Sequence, residues 1–83
     1  MINQNQIHCK TVWAGNEVPR KHVKACEKIV NRMVKDSDIE DVIITDKSAT
    51  ILVHSASLAR KVQEAIKADP LANYCYDDNN FEE

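Results

Sequence analysis

Apolar and polar residues alternate over residues 6–13, and this period of two predicts a half-buried β-strand. The residues on its buried side are Ile7, Cys9, Thr11 and Trp13. Two further segments, 39–45 and 49–54, are rich in β-branched residues and flank the polar turn at 46–48. They predict the two strands of a hairpin. A short final strand is predicted over Asn73–Tyr76.

Two other segments repeat their apolar residues every three or four positions, which predicts amphipathic helices. The first begins at an Asn16 cap and runs to about Asp36. The second is capped by Ser55 or Ser57 and is stopped by Pro70, because the residue before a proline disfavours helical backbone. The apolar positions predicted to face the core are Val23, Cys26, Val30, Met33, Leu58, Val62, Ala65 and Ile66.

The predicted element order is β-α-β-β-α-β. This is the order of the ferredoxin-like sandwich, an α+β fold in which two helices cover one face of a four-stranded antiparallel sheet. The expected order of strands across the sheet is 4-1-3-2, with the first and third strands in the centre. The alternative is an α+β domain with a three-stranded sheet and a last segment that forms coil.

Length and composition are those of a small folded protein. The chain has 83 residues, of which 43% are hydrophobic and 29% charged. One glycine and two prolines argue against a loop-rich chain. We expect a single domain over residues 1–76 and an acidic, mobile tail over residues 77–83.

Basic residues are concentrated in the N-terminal part of the chain. Residues 1–35 hold seven Lys or Arg and two acidic residues, whereas residues 36–83 hold four Lys or Arg and eleven acidic residues. Five of these cations recur at spacings of three and four, which predicts one basic stripe along the first helix. The basic stripe consists of Lys21, Lys24, Lys28, Arg32 and Lys35. Such a row binds phosphates or an acidic protein surface, and an ordinary solvated helix face is the alternative.

The predicted sheet leaves one face uncovered by helices, and its side chains are a mixture of apolar, aromatic and basic. An open sheet face of this composition is a candidate for contact with a partner, including a second copy of the chain as a homodimer. The residues predicted to contribute to it are His8, Lys10, Leu52, Tyr74 and Tyr76.

Cys9, Cys26 and Cys75 are widely spaced and form no Cys-x-x-Cys pair. Isolated cysteines in odd number are typical of free thiols in a reducing cytosol, and we interpret these three as small buried apolar residues. The N-terminal segment lacks a signal-peptide pattern, and no apolar run approaches the ~20 residues of a membrane span. We therefore expect a cytoplasmic protein without a membrane partner.

No residue pattern identifies a reaction. His22 and Cys26 share a helix face, but a zinc site needs about four ligands. His8 and Cys9 are neighbours in a strand and point to opposite faces, so they cannot form a catalytic dyad. The third strand has no aromatic residue for base stacking, which argues against an RNA-binding sheet. We predict no catalytic residues, no metal and no cofactor.

These observations favour a small non-catalytic cytosolic binding protein that acts through protein–protein contacts as a regulator, adaptor or inhibitor. Compact chains of this kind are common among phage and mobile-element proteins, which is an association only. The alternative is a nucleic-acid-binding module that uses the basic stripe. A third hypothesis is an enzyme subunit that is active only in an oligomer. Salt dependence separates the first two, because phosphate binding falls steeply with ionic strength.

Overall fold

The computed structural model describes residues 5–13 and 15–76, with Trp13 described by its backbone alone. In these ranges the strands are β1 (Gln6–Lys10), β2 (Val12–Trp13), β3 (Asn16–Glu17), β4 (Ile39–Ile44) and β5 (Ser48–Val53). The helices are α1 (Arg20–Met33) and α2 (Ala56–Ala68), and two 3-10 turns lie at Asp36–Asp38 and Ala72–Cys75. The chain is therefore an α+β protein, as predicted. The predicted acidic tail over 77–83 lies outside the described residues.

β1, β5 and β4 form a three-stranded antiparallel sheet in that spatial order. Cys9 of β1 lies opposite Ala49 of β5, which in turn lies opposite Ile44 of β4. The order agrees with the relative order predicted for the first three long strands. The hairpin turn between β4 and β5 is held by Thr45, whose Oγ1 accepts a hydrogen bond from the Ser48 N–H at 3.1 Å.

The four-stranded sheet that the sequence predicts is not shown by the structure. The predicted final strand over Asn73–Tyr76 is largely replaced by the 3-10 turn at Ala72–Cys75, and only an isolated bridge joins Tyr76 to Cys9 at the outer edge of β1. The physical reason lies at Asp69, whose carboxylate accepts backbone hydrogen bonds just after Pro70 and starts a tight turn. Among the described residues, the alternative with a three-stranded sheet is the better description.

The predicted first strand also ends earlier than expected. Its alternation breaks at Thr11, and β2 then pairs with β3 in a small hairpin around Gly15, whose φ of 84° is typical of glycine in a turn. Asn16 therefore belongs to a strand and does not cap the helix. α1 begins at Arg20, after Pro19 in the N-cap position. α2 agrees with its predicted start, because the Ser55 Oγ accepts a hydrogen bond from the Leu58 N–H at 3.2 Å.

Both helices cover the sheet face that carries Ile7 and Cys9. α2 packs on β1 and β5, while α1 packs on α2 and on the 3-10 turn at Ala72–Cys75. The buried apolar residues of this core are Ile7, Val18, Cys26, Ile29, Val34, Val53, Ala59, Val62, Ile66, Ala72 and Cys75. In the part of the chain that the structure describes, no helix combines the length and the apolar character that a bilayer span requires.

The buried face of α1 is rotated relative to the prediction. His22, Cys26 and Ile29 are buried, whereas Val23 and Val30 are only half-buried against the edge of the core. The rotation follows from the contact of α1 with the Ala72–Cys75 turn as well as with α2. As a result, the basic stripe lies on the exposed side of α1 next to the segment that follows α2.

Candidate partner-binding surfaces

All five residues of the basic stripe are exposed. Four lie within α1, and Lys35 lies two residues beyond its last residue, Met33. Their spacing of three and four places them on one side of the helix, so their charges add to one local positive potential. The exposure agrees with the predicted arrangement, and a role in binding stays a prediction.

Four of these cations border a groove between α1 and the segment that follows α2. The groove has a volume of about 470 Å³. Ala25 and Ile29 of α1 and the exposed Leu71 supply its apolar part. We call it the basic groove, and its lining residues are Lys21, Lys24, Ala25, Lys28, Ile29, Arg32, Asp69 and Leu71.

Asp69 is the acidic residue of the basic groove, and backbone donors engage its carboxylate. Its Oδ1 accepts hydrogen bonds from the Ala72 N–H at 2.9 Å and from the Leu71 N–H at 2.8 Å. These two bonds, with a smaller contribution from the charge of Arg32, hold the pKa of Asp69 below its ordinary value. Asp69 is therefore ionised at neutral pH and opposes part of the positive charge of the groove.

The remaining positive charge of the basic groove is not neutralised by close ion pairs. Within residues 5–13 and 15–76, the contact close enough for an ion pair joins the His54 Nδ1 and the Glu40 carboxylate at 3.5 Å, and neither residue lines the groove. Four cations and one carboxylate leave the groove with a net positive charge. This arrangement suits an anionic ligand that also carries apolar groups.

The open sheet face lies opposite the buried Ile7, because successive side chains of a strand alternate between the two faces. The strand register places His8, Lys10 and Leu52 on this face. His8 is oriented by Thr50, since the His8 Nδ1 and the Thr50 Oγ1 are 2.7 Å apart. The face is therefore polar around His8 and Lys10 and apolar at Leu52.

Tyr74 and Tyr76 do not belong to the open sheet face, and their predicted placement there is wrong. Tyr74 stacks on His22 of α1, with ring centroids 4.0 Å apart. Tyr76 packs against the core, and the Lys67 Nζ lies 5.5 Å from the centroid of its ring. Both rings lie on the helix side because the segment that carries them packs on α1 and α2.

The strand β4 presents an apolar surface that is not among the surfaces predicted from the sequence. It is an edge strand of the three-stranded sheet, and Val42, Ile43 and Ile44 are 47%, 46% and 77% exposed. A run of β-branched residues usually indicates a buried strand. The signal that distinguishes this run is the pair Glu40–Asp41 at its start, because charged residues are typical of an edge.

The three cysteines, which are far apart in the sequence, meet in the core. Cys9 lies on β1, Cys26 on α1 and Cys75 at the end of the last 3-10 turn. The Sγ atoms of Cys9 and Cys26 are 2.8 Å apart, and Cys75 lines the same groove as these two residues. The sequence carries no local pattern for this cysteine cluster, because three separate elements contribute one residue each.

Burial and hydrogen bonding keep the two inner cysteines protonated. The hydrogen bond with Cys26 and burial raise the pKa of the Cys75 thiol far above its usual range. For Cys26, the hydrogen bond with Cys75 lowers the pKa, but the hydrogen bond with Cys9 and burial raise it by more. No group of three or more His, Cys, Asp or Glu side chains within the described ranges has an arrangement that could hold a metal ion.

Comparison with known proteins gives no match. The chain matches no family model, no curated protein and no solved structure. An inference about function therefore rests on the basic groove, on the apolar edge of β4 and on the cysteine cluster.

Proposed function

We propose that this chain is a small non-catalytic binding protein of the cytoplasm that holds an acidic, partly apolar segment of a partner protein in the basic groove. The observation that supports this proposal is the combination of four cations with an apolar lining in one open groove. By occupying the acidic segment of its partner, the protein acts as a regulator, adaptor or inhibitor.

The charge of the groove favours an acidic segment. Lys24, Lys28 and Arg32 are exposed, and no acidic side chain of the described residues lies within 4.0 Å of them. Acidic side chains brought beside them gain attraction over the range of a Debye length, which is about 8 Å at physiological salt. The attraction acts mainly on the rate of association and on the choice of partner.

The apolar part of the groove favours a peptide over a nucleic acid. Ile29 and Leu71 offer surface that a leucine or phenylalanine of a partner can cover, whereas a phosphodiester backbone gains nothing from it. The described residues lining the groove include no aromatic side chain on which a base can stack. Binding of nucleic acid along the basic stripe is therefore the second candidate.

The test is a triple charge reversal, Lys24→Glu with Lys28→Glu and Arg32→Glu. The probe is a fluorescently labelled peptide that alternates glutamate with leucine, and binding is followed by fluorescence anisotropy. We expect the reversal to weaken binding by roughly tenfold or more, because it replaces attraction by repulsion. Wild-type binding should also weaken as salt is added.

A charge-matched variant serves as the control. Lys47→Glu with Arg60→Glu and Lys61→Glu changes three exposed cations outside the groove and gives the same net charge. This control variant should bind the peptide like the wild type. Equal losses in both variants, or no loss in the first, contradict the proposal. Tight binding of a random oligonucleotide with no binding of the peptide supports the nucleic-acid alternative.

A second copy of the chain is a further candidate partner. The edge of β4 is a better candidate surface for this self-association than the open sheet face. β4 is an edge strand that offers the exposed apolar side chains of Val42, Ile43 and Ile44 to another strand. Its Val42 N–H already donates a hydrogen bond to the Asp41 Oδ1 at 2.8 Å and would exchange this partner on pairing. If two β4 strands pair antiparallel, the acidic start of one lies near the end of the other, where Lys47 follows. Sedimentation velocity tests this proposal, and a monomer at all accessible concentrations contradicts it.

The ferredoxin-like arrangement also stays a proposal. It is supported by the order β1-β5-β4 and by the bridge between Cys9 and Tyr76 at the side of β1 where a fourth strand belongs. A nuclear Overhauser contact between the Cα protons of Cys9 and Tyr76 is expected, and its absence contradicts the proposal.

A further inference from the structure

Three thiols from three separate elements converge at one point of the core, with Cys26 in the middle. Its Sγ lies 2.8 Å from the Sγ of Cys9, and Cys75 lies beside them on the wall of the same groove. A disulfide bond has a length of about 2.05 Å, so the first two sulfurs need to approach by only about 0.8 Å. All three cysteines are free thiols in the structure.

The three thiols differ in their access to solvent. Cys26 is 5% exposed and Cys75 is 1% exposed, whereas Cys9 is only half-buried. A groove of about 260 Å³ leads to them, and all three cysteines lie on its wall together with Val23, Val30 and Ile51. A small neutral oxidant that enters this groove reaches Cys9 more readily than the other two.

We propose that Cys9 and Cys26 are a site of reversible oxidation, at which a hydroperoxide converts the two thiols into an intramolecular disulfide bond. This inference is independent of the proposed binding of an acidic partner. It requires the two sulfurs to be neighbours and Cys9 to be accessible, and both conditions are met in the structure.

The reaction proceeds in two balanced steps. The deprotonated Cys9 sulfur attacks one peroxide oxygen, the O–O bond breaks, and the leaving hydroxide or alkoxide takes up the proton released by the thiol. This step leaves a sulfenic acid on Cys9. The Cys26 sulfur then attacks the Cys9 sulfur, the S–S bond forms, the S–O bond breaks, and water leaves with the proton of Cys26. A dithiol reductant restores both thiols by exchange.

Burial of the third thiol, Cys75, determines which pair is oxidised. Cys75 is also next to Cys26, but it is almost fully buried, with only 1% of its surface exposed. It therefore does not compete with Cys9 for the peroxide. We expect Cys75 to remain a free thiol when the Cys9–Cys26 disulfide has formed.

The test is treatment of the folded, reduced chain with hydrogen peroxide, followed by alkylation after unfolding, trypsin digestion and mass spectrometry. Trypsin places the three cysteines in separate peptides, because the chain has Lys10, Lys24, Lys28 and Lys67 at the required positions. We expect one cross-linked pair joining the peptides that carry Cys9 and Cys26, one alkylated Cys75, and full recovery of three alkylated cysteines after reduction with dithiothreitol.

Two variants sharpen the test, and circular dichroism verifies that each is folded. Cys75→Ser should still form the disulfide, whereas Cys26→Ser should lose it and accumulate oxidised Cys9 or a disulfide between two chains. The mapping of the wild-type chain decides the matter even if a variant is unfolded. A wild-type cross-link between Cys26 and Cys75, or irreversible sulfinic acid without any cross-link, overturns the proposal.

Discussion

The ring of His22 stacks on the ring of Tyr74, with their centroids 4.0 Å apart and their planes inclined by 18°. His22 is 6% exposed, and its Nδ1–H donates a hydrogen bond to the carbonyl oxygen of Leu71 at 2.9 Å. A residue in the first turn of α1 is thereby attached to the segment after α2, 49 positions later in the chain. The pair holds together the two walls of the basic groove.

A double-mutant cycle of His22→Ala and Tyr74→Ala should reveal a coupling of about 0.5–1.5 kcal/mol, the range typical of stacked aromatic pairs. The measurement is the free energy of unfolding from urea titrations of the wild type, both single variants and the double variant. His22→Phe keeps the stacking and removes only the hydrogen bond to Leu71, so it should cost about 1 kcal/mol. Additive losses in the cycle would show that the two rings do not stack in solution.

The rotation of α1 predicts a difference between two adjacent residues. Ile29 is 5% exposed, whereas Val30 is half-buried at the edge of the core. Ile29→Ala should therefore destabilise the protein by about 2–5 kcal/mol, as is usual for removing a buried isoleucine side chain. Val30→Ala should cost only about 1 kcal/mol. Chemical denaturation of both variants decides this, and a larger loss for Val30→Ala would support the orientation expected from the sequence.

Much of the sheet is predictable from the sequence, because its strands are determined by local patterns. Alternation around Ile7 and the β-branched runs before and after the turn at 46–48 are enough to predict β1, β4 and β5. Their order follows from the usual handedness of the connections. The segment after Pro70 is not predictable in this way, because its 3-10 turn depends on hydrogen bonds to the side chain of Asp69.

The candidate sites, like the sheet, have some features that the sequence predicts and others that depend on long-range contacts. The exposure of the basic stripe follows from its spacing, whereas the groove beside it depends on contacts of His22 with Leu71 and Tyr74. The proximity of Cys9 and Cys26 depends on another long-range contact, that of α1 with β1. Contacts between residues that are far apart in the sequence leave no periodic pattern, so hydrophobic periodicity does not predict them.

The lowered pKa of Asp69 predicts a contribution to stability that depends on pH. Its carboxylate accepts hydrogen bonds from the N–H groups of Ala72 and Leu71, so folding favours the ionised form. The contribution is fully present above the ordinary pKa of 3.8 and is lost as the pH falls through the lower pKa of the folded state. The stability difference between the wild type and Asp69→Asn should therefore be constant near neutral pH and should shrink below pH 3.8.

Urea titrations of both proteins over a series of acidic buffers measure this difference. Asparagine retains a side-chain oxygen that accepts hydrogen bonds but does not titrate, so it isolates the effect of the charge. A stability difference that stays constant through the acidic range would show that Asp69 has the same pKa in the folded and unfolded chain.

The exposed edge of β4 predicts that a single lysine should suppress self-association. Ile44 is 77% exposed, so Ile44→Lys should change the free energy of unfolding by no more than about 0.5 kcal/mol. A lysine on an edge strand prevents pairing with another strand, because its charge would have to be desolvated in the new sheet. Sedimentation velocity of the wild type and of Ile44→Lys over a wide range of concentrations measures the effect.

Ser57→Lys on α2 is the matched control, since it changes an exposed residue and adds the same charge away from the sheet. If the wild type and the control form a dimer at concentrations where Ile44→Lys is a monomer, pairing occurs along β4. Added sulfate distinguishes two causes of dimer formation. It strengthens a dimer held by apolar contact of Val42, Ile43 and Ile44. It weakens a dimer held by attraction between Lys47 and the acidic start of the partner strand. A dimer that persists unchanged in Ile44→Lys would place the contact elsewhere, and the open sheet face around His8 and Leu52 would then be the surface to change next.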